Sequence, residues 1–189
     1  QCILTNADYP AECTNQVRDP KLFQMADGTF RMVLGAWLQD DKGAVLLYSS
    51  TDLEHFTFEQ LYTTEKAFGY MWECPDIFVL DGHRILAVCP QGIPSEAEQY
   101  QNIYQSGYFI ETEETRTVNP SFIEWDMGFD FYAPQTLEAP DGRRILFGWA
   151  GVSDSPYDNE PSIREGWQHS MTVPRELSWK GGILCQKPV

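Results

Sequence analysis

The apolar residues of this chain occur in short runs, and the residues that separate the runs repeat in the same order three times. In each repeat a proline precedes an apolar run, an Asp-Gly pair follows, and a second apolar run begins after the pair; the prolines are Pro20, Pro75 and Pro134, and the pairs are Asp27-Gly28, Asp81-Gly82 and Asp141-Gly142. An Asp-Gly pair between two apolar runs is a strong β-hairpin signal. The prolines are 55 and 59 residues apart, and an all-β repeat of about 50 residues is typical of stacked propeller blades.

Each repeat has room for about four strands. In the first repeat the predicted strands are 22–25, 30–38, 44–50 and 56–62. In the second they are 77–80, 84–89, 104–111 and 121–125. In the third, two strands flank Asp141-Gly142 between residues 131 and 149, and two more follow at 168–173 and 176–179. Polar loops are expected at 91–101 and 153–162. No long segment spaces its apolar residues 3, 4 and 7 apart, so extended helices are not expected. We predict an all-β fold with about three blades of four-stranded antiparallel sheet.

The charge balance narrows the range of partners. The 189 residues include 13 basic and 28 acidic side chains, which give a formal net charge of −15. Nucleic acids and anionic membranes are bound by clustered Lys and Arg, so neither is an expected partner, and a neutral substrate fits best. No apolar run approaches the roughly 18 residues of a membrane span.

The cysteines and histidines suggest neither a disulfide framework nor a metal site. The five cysteines are an odd number without a C-x-x-C pair, which predicts reduced thiols in a cytoplasmic protein. Residues 1–10 lack the pattern of a signal peptide, although one could have been removed or could lie upstream. The three histidines have no metal-like spacing to Cys or Glu. We therefore expect no metal site.

Two carboxylates lie just before the first two repeated prolines. They are Asp19 and Glu73, and equivalent positions of successive blades converge on the central channel of a propeller. Breaking a glycosidic bond requires one carboxylic acid to protonate the leaving oxygen and a second carboxylate as nucleophile, base or charge stabiliser. Glu73 is the better acid, because its apolar neighbours Trp72 and Pro75 favour a protonated carboxyl group. The alternative is that both are ordinary turn or strand-start residues.

Six short motifs follow one another between residues 18 and 177. They are Arg18-Asp19-Pro20, Trp72-Glu73-Cys74-Pro75-Asp76, the segments Phe129–Gln135 and Phe147–Trp149, Arg164–Trp167, and Met171–Leu177. In this order they resemble glycoside hydrolase family 32, which includes invertases, sucrose-6-phosphate hydrolases and fructan-degrading β-fructosidases. The resemblance implies a five-bladed β-propeller followed by a β-sandwich, a small carbohydrate as substrate, and chemistry that needs no cofactor.

The resemblance also implies roles for individual residues. Glu73 would be the general acid/base, and Asp19, assisted by Arg18, would stabilise the transition state and hold fructose hydroxyls. Cys74 would neighbour and tune the acid. Trp149 and Tyr132 would line the pocket, although core packing is the simpler alternative for both.

One element of the family pattern is missing from this sequence. In the family the nucleophile is the Asp of an Asn-Asp-Pro-Asn-Gly motif upstream of Arg-Asp-Pro, and residues 1–17 contain no such motif. The sequence also has no room for a β-sandwich after Leu177. We therefore expect residues 1–189 to form a partial propeller, inactive alone, from the middle of a retaining enzyme that cleaves terminal β-fructofuranosides. Sucrose, sucrose 6-phosphate and fructans remain equal candidates.

Two other interpretations remain open. The chain could be a non-catalytic carbohydrate-binding or structural remnant of such an enzyme. Alternatively, Asp19 and Glu73 could form an inverting pair with water as nucleophile, which requires carboxyl groups roughly 6.5–9.5 Å apart. Three blades do not close a ring, so either the natural protein is longer or copies of the chain associate through their open edges.

Overall fold

The strands form three antiparallel sheets, the first two of which follow chain order. The computed structural model describes residues 2–111, 118, 121–128 and 130–189. The first sheet contains β1 (Cys13–Gln24), β2 (Phe30–Leu38), β3 (Gly43–Ser50) and β4 (Thr57–Thr63). The second contains β5 (Met71–Leu80), β6 (His83–Gln91), β7 (Gly107–Glu111) and β8 (Ile123–Glu124).

The third sheet is also four strands wide. It contains β9 (Tyr132–Glu138), β10 (Arg144–Ala150), β11 (Ser170–Met171), β12 (Arg175–Lys180) and β13 (Ile183–Pro188). One edge of β10 pairs with β9, the other edge pairs with β11 and β12 placed end to end, and β13 completes the sheet beside β12. The three sheets confirm the predicted all-β fold with about three four-stranded blades.

The apolar core lies between the sheets. One cluster joins the first and second sheets and includes Val45, Tyr62, Leu86 and Phe109, and another joins the second and third sheets through residues such as Ile85, Tyr108 and Leu146. The members of both clusters are almost completely buried. Adjacent blades are therefore held together by hydrophobic contact between their faces.

Trp72 anchors the start of β5 in the first of these clusters. Its side chain is fully buried, and its indole nitrogen donates to the Phe68 carbonyl at 2.7 Å. A Cβ at Gly43 would lie 2.1 Å from the Trp72 ring, and a Cβ at Gly35 would lie 2.1 Å from the Trp72 carbonyl oxygen. Glycines at these two positions let the first sheet approach the residue that immediately precedes Glu73.

Each inner strand has an irregularity at its repeated proline. The pairing register shifts between Arg18 and Lys21 in β1 and between Glu73 and Asp76 in β5. In the third sheet it shifts between Tyr132 and Gln135 of β9, which pair with Trp149 and Phe147 of β10. The residue before each proline has a positive φ, 58° at Asp19, 48° at Cys74 and 46° at Ala133. Such bulges bend a strand and redirect its side chains, and here they do so at the same place in all three blades.

Several element boundaries differ from the sequence prediction. β1 and β5 begin at Cys13 and Met71, well before the predicted 22 and 77, because the polar inner-strand residues around each bulge hide the strand pattern. The strand β13 was not predicted, and a short helix α1 (Glu160–Arg164) lies in what was predicted to be a loop. The acidic stretch 111–114 is predicted to be a solvated hairpin or loop; its residues 112–114 lie outside the described residues. The described helices include none with the length and apolarity required to cross a bilayer.

Candidate functional site

The residues two positions before the repeated prolines meet in a hydrogen-bonded group. They are Arg18, Glu73 and Tyr132, one from each inner strand. Arg18 Nη1 donates to Glu73 Oε1 at 2.9 Å, and the Tyr132 hydroxyl donates to Glu73 Oε2 at 2.5 Å. The Glu73 side chain is only 14% exposed. The repeat therefore brings one residue from each of three blades to a common point, with Glu73 at its centre.

Asp19 joins this group through the backbone next to Glu73. Its Oδ2 accepts a hydrogen bond from the Cys74 amide at 3.0 Å and lies 3.7 Å from the Cys74 sulfur. Asp19 is the structural equivalent of Cys74, since both precede the repeated proline with a positive φ. Glu73 is thus equivalent to Arg18, one position away from the equivalence with Asp19 that the sequence suggested. The bulges nevertheless bring both carboxylates to the same region.

The surroundings of Glu73 are more polar than the sequence indicated. Besides Arg18 and Tyr132, the side-chain amide of Gln91 donates to Glu73 Oε2 at 2.9 Å. Arg18 is itself held by a hydrogen bond from Nη2 to Gln16 Oε1. Three donors of different charge and acidity therefore surround one carboxyl group.

Two buried groups lie next to Glu73, the hydroxyl of Tyr132 and the thiol of Cys89. Tyr132 is 4% exposed, and burial, followed by the charge of nearby groups and its bond to Glu73, raises the pKa of its phenol far above the ordinary value. Tyr132 therefore keeps its proton and acts as a donor to Glu73. Burial and a hydrogen bond with Cys74 likewise raise the pKa of the Cys89 thiol. Cys89 lies opposite Glu73 in the pairing of β5 with β6.

Trp149 lies one step further from Glu73, beside Tyr132. The two residues are register partners in β9 and β10, and Trp149 packs edge-on against His169 with ring centroids 5.0 Å apart. Tyr104 also packs against Tyr132, at 5.8 Å between centroids. Its hydroxyl donates to Asp154 at 2.9 Å, and this bond is the main reason why the pKa of Tyr104 rises to about 12. Aromatic rings thus border the group around Glu73 on the side of the third sheet.

The residues that follow the repeated prolines form a second polar layer. Lys21 Nζ lies 3.0 Å from Gln135 Oε1 and 3.5 Å from Asp76 Oδ2. Asp76, whose side chain is 3% exposed, accepts from the Thr136 amide at 3.0 Å and the Thr136 hydroxyl at 2.7 Å. This layer ties the three inner strands together immediately next to the carboxylates.

Several of these contacts were absent from the sequence-based prediction. Lys21, Asp76 and Gln135 could have been noticed, since a polar residue follows the proline in every repeat. Gln91 had no such signal, because it contacts Glu73 through the pairing of β5 with β6. Phe129, the first residue of the motif Phe129–Gln135, lies outside the described residues.

The described part of the chain offers carboxylate chemistry and no group of three or more His, Cys, Asp or Glu side chains arranged to hold a metal ion. Glu73 is a partly enclosed carboxyl group with fixed donors, and Asp19 is a second carboxylate tied to the adjacent backbone. A pair of carboxyl groups with separate environments is the arrangement that glycoside hydrolysis uses.

Comparisons with known proteins identify the family of the chain. The family model described as glycosyl hydrolases family 32 N-terminal domain matches residues 1–188. A sucrose-6-phosphate hydrolase from Bacillus subtilis is 43% identical over 97% of this chain, and one from Klebsiella pneumoniae is 39% identical over the whole chain. The chain spans 40% and 45% of the length of these two relatives.

Solved structures show the same relationship. A Bombyx mori β-fructofuranosidase of family 32 superimposes with a TM-score of 0.84 and 35% identity, and covers 96% of this chain and 39% of its own. A sucrose-6-phosphate hydrolase from Lactobacillus gasseri gives a TM-score of 0.82 and 32% identity, with 96% and 38% coverage. The fold is accordingly that of part of a five-bladed β-propeller. The chain belongs to glycosyl hydrolase family 32, and it matches the family's N-terminal domain.

Proposed function

We propose that the natural protein containing this chain hydrolyses terminal β-fructofuranosides with retention of configuration. The observation on which this rests is the convergence of Arg18, Glu73 and Tyr132, with Asp19 bonded to the backbone at Cys74. The relatives named above support the substrate class, and a mutant of the Bombyx mori enzyme has been solved in complex with sucrose.

In this proposal Glu73 is the general acid and then the general base. Its carboxyl proton moves to the glycosidic oxygen while the bond from that oxygen to the fructosyl carbon breaks. Arg18 and Tyr132 hold the carboxyl group in place through bonds of 2.9 Å and 2.5 Å. The partial enclosure of Glu73 keeps bulk water from supplying the proton instead.

Asp19 is proposed to stabilise the positive charge that develops on the fructosyl ring. Its Oδ2 accepts a hydrogen bond from the Cys74 amide, and Oδ1 is proposed to contact the substrate. Trp149 and Tyr104 are proposed to form the aromatic border against which the sugar packs.

The proposal is tested by replacing Glu73 in the complete natural polypeptide. Glu73→Gln should lower kcat on sucrose or sucrose 6-phosphate about 10²–10⁴-fold, since that is the range of general acid catalysis. KM should stay within about 3-fold, because the amide keeps the shape of the carboxyl group. The control is Glu98→Gln, an exposed loop residue, which should leave both constants unchanged. An unchanged kcat in Glu73→Gln would refute the assignment.

The same enzyme preparation decides the substrate and the stereochemistry. The ratio of kcat/KM for sucrose 6-phosphate, sucrose and a fructan ranks the three candidates. The anomer of fructose released first distinguishes retention from inversion, and release of the inverted anomer would instead favour the pair of Asp19 and Glu73 with water as nucleophile.

We further propose that residues 1–189 expressed alone are inactive. They contain no Asn-Asp-Pro-Asn-Gly motif, the motif in which the family places its nucleophile, and a retaining mechanism requires that residue. Fructose release by this polypeptide would contradict the proposal. If the natural reading frame encodes no nucleophile motif and its product binds fructosides without cleaving them, the non-catalytic interpretation replaces the enzymatic one. Cytoplasmic location and self-association through open edges stay predictions.

A further inference from the structure

We propose that Gln91 is a positioning residue that makes Glu73 release its proton from one defined oxygen, Oε1. This inference rests on the proposed role of Glu73 as general acid. Gln91 Nε2 and the Tyr132 hydroxyl both donate to Glu73 Oε2, at 2.9 Å and 2.5 Å, whereas Arg18 Nη1, at 2.9 Å, is the only donor to Oε1 among the described residues.

The asymmetry between the two oxygens decides where the proton is bound. Each carboxyl oxygen has two acceptor positions, and the amide nitrogen of Gln91 is a donor that cannot accept. Tyr132 is almost completely buried and keeps its own proton. Both acceptor positions of Oε2 are therefore filled, and the proton of the acid form binds to the remaining position on Oε1.

Without the Gln91 amide, an acceptor position of Oε2 becomes free. The carboxyl proton can then reside on Oε2, the oxygen that Tyr132 contacts. A proton held there does not reach the glycosidic oxygen, so leaving-group protonation slows while substrate binding is retained.

The backbone holds Gln91 where this contact is possible. Gln91 is the last residue of β6 and pairs with Met71, two residues before Glu73, which itself pairs with Cys89. Diagonal neighbours on one face of an antiparallel pair are within reach of a long side chain. The Gln91 carbonyl also accepts a hydrogen bond from the Tyr70 amide at 2.9 Å. In addition, Gln91 and Tyr104 form an isolated antiparallel β-bridge.

The test compares two leaving groups in the complete natural polypeptide. Gln91→Met removes the donor but keeps an unbranched side chain, and Gln91→Asn keeps the amide but is too short to reach Oε2. The matched control is Gln101→Met, in the exposed loop after β6. Each variant is assayed with sucrose, whose leaving alkoxide needs a proton, and with 4-nitrophenyl β-D-fructofuranoside, whose leaving phenolate does not.

Both Gln91 variants should lose at least about 10-fold in kcat/KM on sucrose and less than about 3-fold in kcat/KM on the nitrophenyl substrate, since kcat/KM reports the step in which the leaving group departs and not the later hydrolysis that both substrates share. The melting temperature should stay close to that of the Gln101→Met control. Equal losses in kcat/KM on the two substrates would show a merely structural role and overturn the inference, as would an unchanged kcat/KM on sucrose.

Glu73→Gln, assayed in parallel, separates this inference from the proposed function. If Glu73→Gln shows the leaving-group-dependent loss and the Gln91 variants do not, only the role of Gln91 is refuted. If Glu73→Gln has no effect on either substrate, the proposed acid is wrong, and the inference for Gln91 fails with it.

Discussion

At the scale of single residues, Asp52 shows how one side chain organises a turn. Its Oδ1 accepts from the backbone amides of Glu54 and His55, both at 2.8 Å, and its Oδ2 lies 2.8 Å from His55 Nδ1. Its hydrogen bonds with His55 and Glu54 lower the pKa of Asp52, and the Asp52 carboxylate in turn raises the pKa of His55 above 6.5. The turn thus favours a charged His55.

The pH dependence of this contact has a definite sign. Because the His55 pKa is raised in the folded state, the stabilisation is fully present below the ordinary pKa of 6.5 and is lost as the pH rises through the raised value. An NMR titration of the His55 ring should give a midpoint above 6.5. Asp52→Asn should return the midpoint towards 6.5, whereas the control Glu54→Gln should change it little. An unshifted midpoint in Asp52→Asn would contradict this assignment.

The sequence predicted which residues meet at the candidate site better than it predicted which of them occupy equivalent positions in the three repeats. Arg18, Asp19, Glu73, Cys74 and Tyr132 all come together, because the repeated proline marks the same point of each inner strand. Asp19 and Glu73 are only nearly equivalent in the repeat, and the residue at the position of Glu73 in the first repeat is Arg18. Counted from the proline, Arg18 and Glu73 both lie two positions upstream, so this offset is present in the sequence itself. What the sequence could not indicate is the positive φ before each proline, because a residue in that position normally has an extended backbone.

At the scale of the elements, close packing of β3 and β5 fixes the backbone that presents Glu73. The two strands meet where Gly43 faces the buried Trp72 ring. Protein interiors tolerate little added volume, because side chains already fill the space at crystal-like density. The absence of a side chain at Gly43 is therefore a requirement of the Trp72 position. The sequence identified β3 almost to the residue, but nothing in a single strand indicated this contact.

Gly43→Ala should destabilise the protein by overpacking. The new Cβ would lie 2.1 Å from Trp72 Cδ1, so the indole or the strand must move, at a cost of about 1–3 kcal/mol. The control is Gly28→Ala, whose Cβ would meet nothing within 4 Å. The φ of 87° at this position nevertheless costs an alanine about 1–2 kcal/mol. Urea unfolding measures both changes. The distinguishing readout is the near-ultraviolet circular dichroism of tryptophan, which should change in Gly43→Ala alone, and an unchanged spectrum there would contradict the packing argument.

At the scale of the whole molecule, the blades are joined by apolar faces and by polar contacts between their inner strands. The apolar contacts follow from central strands such as β3 and β6, which are buried along most of their length, and the repeat predicted that the blades stack. The polar layer of Lys21, Asp76, Gln135 and Thr136 joins β1, β5 and β9. Its formation depends on the angle between blades, which no local pattern specifies. Asp76 is the centre of this layer, since it accepts from Thr136 and pairs with Lys21.

Removing Asp76 should therefore loosen the association of three blades at once. In Asp76→Ala the Thr136 amide and hydroxyl and the partly buried Lys21 ammonium lose their shared acceptor. Loss of one member of a buried ion pair costs about 3–5 kcal/mol, and the free energy of unfolding should fall by roughly this amount. Asp40→Ala is the control, because Asp40 is exposed and its pair with Lys42 lies within one blade; it should cost less than about 1 kcal/mol. Urea unfolding followed by fluorescence measures both values, and similar small losses in the two variants would mean that apolar contacts alone hold the blades in register.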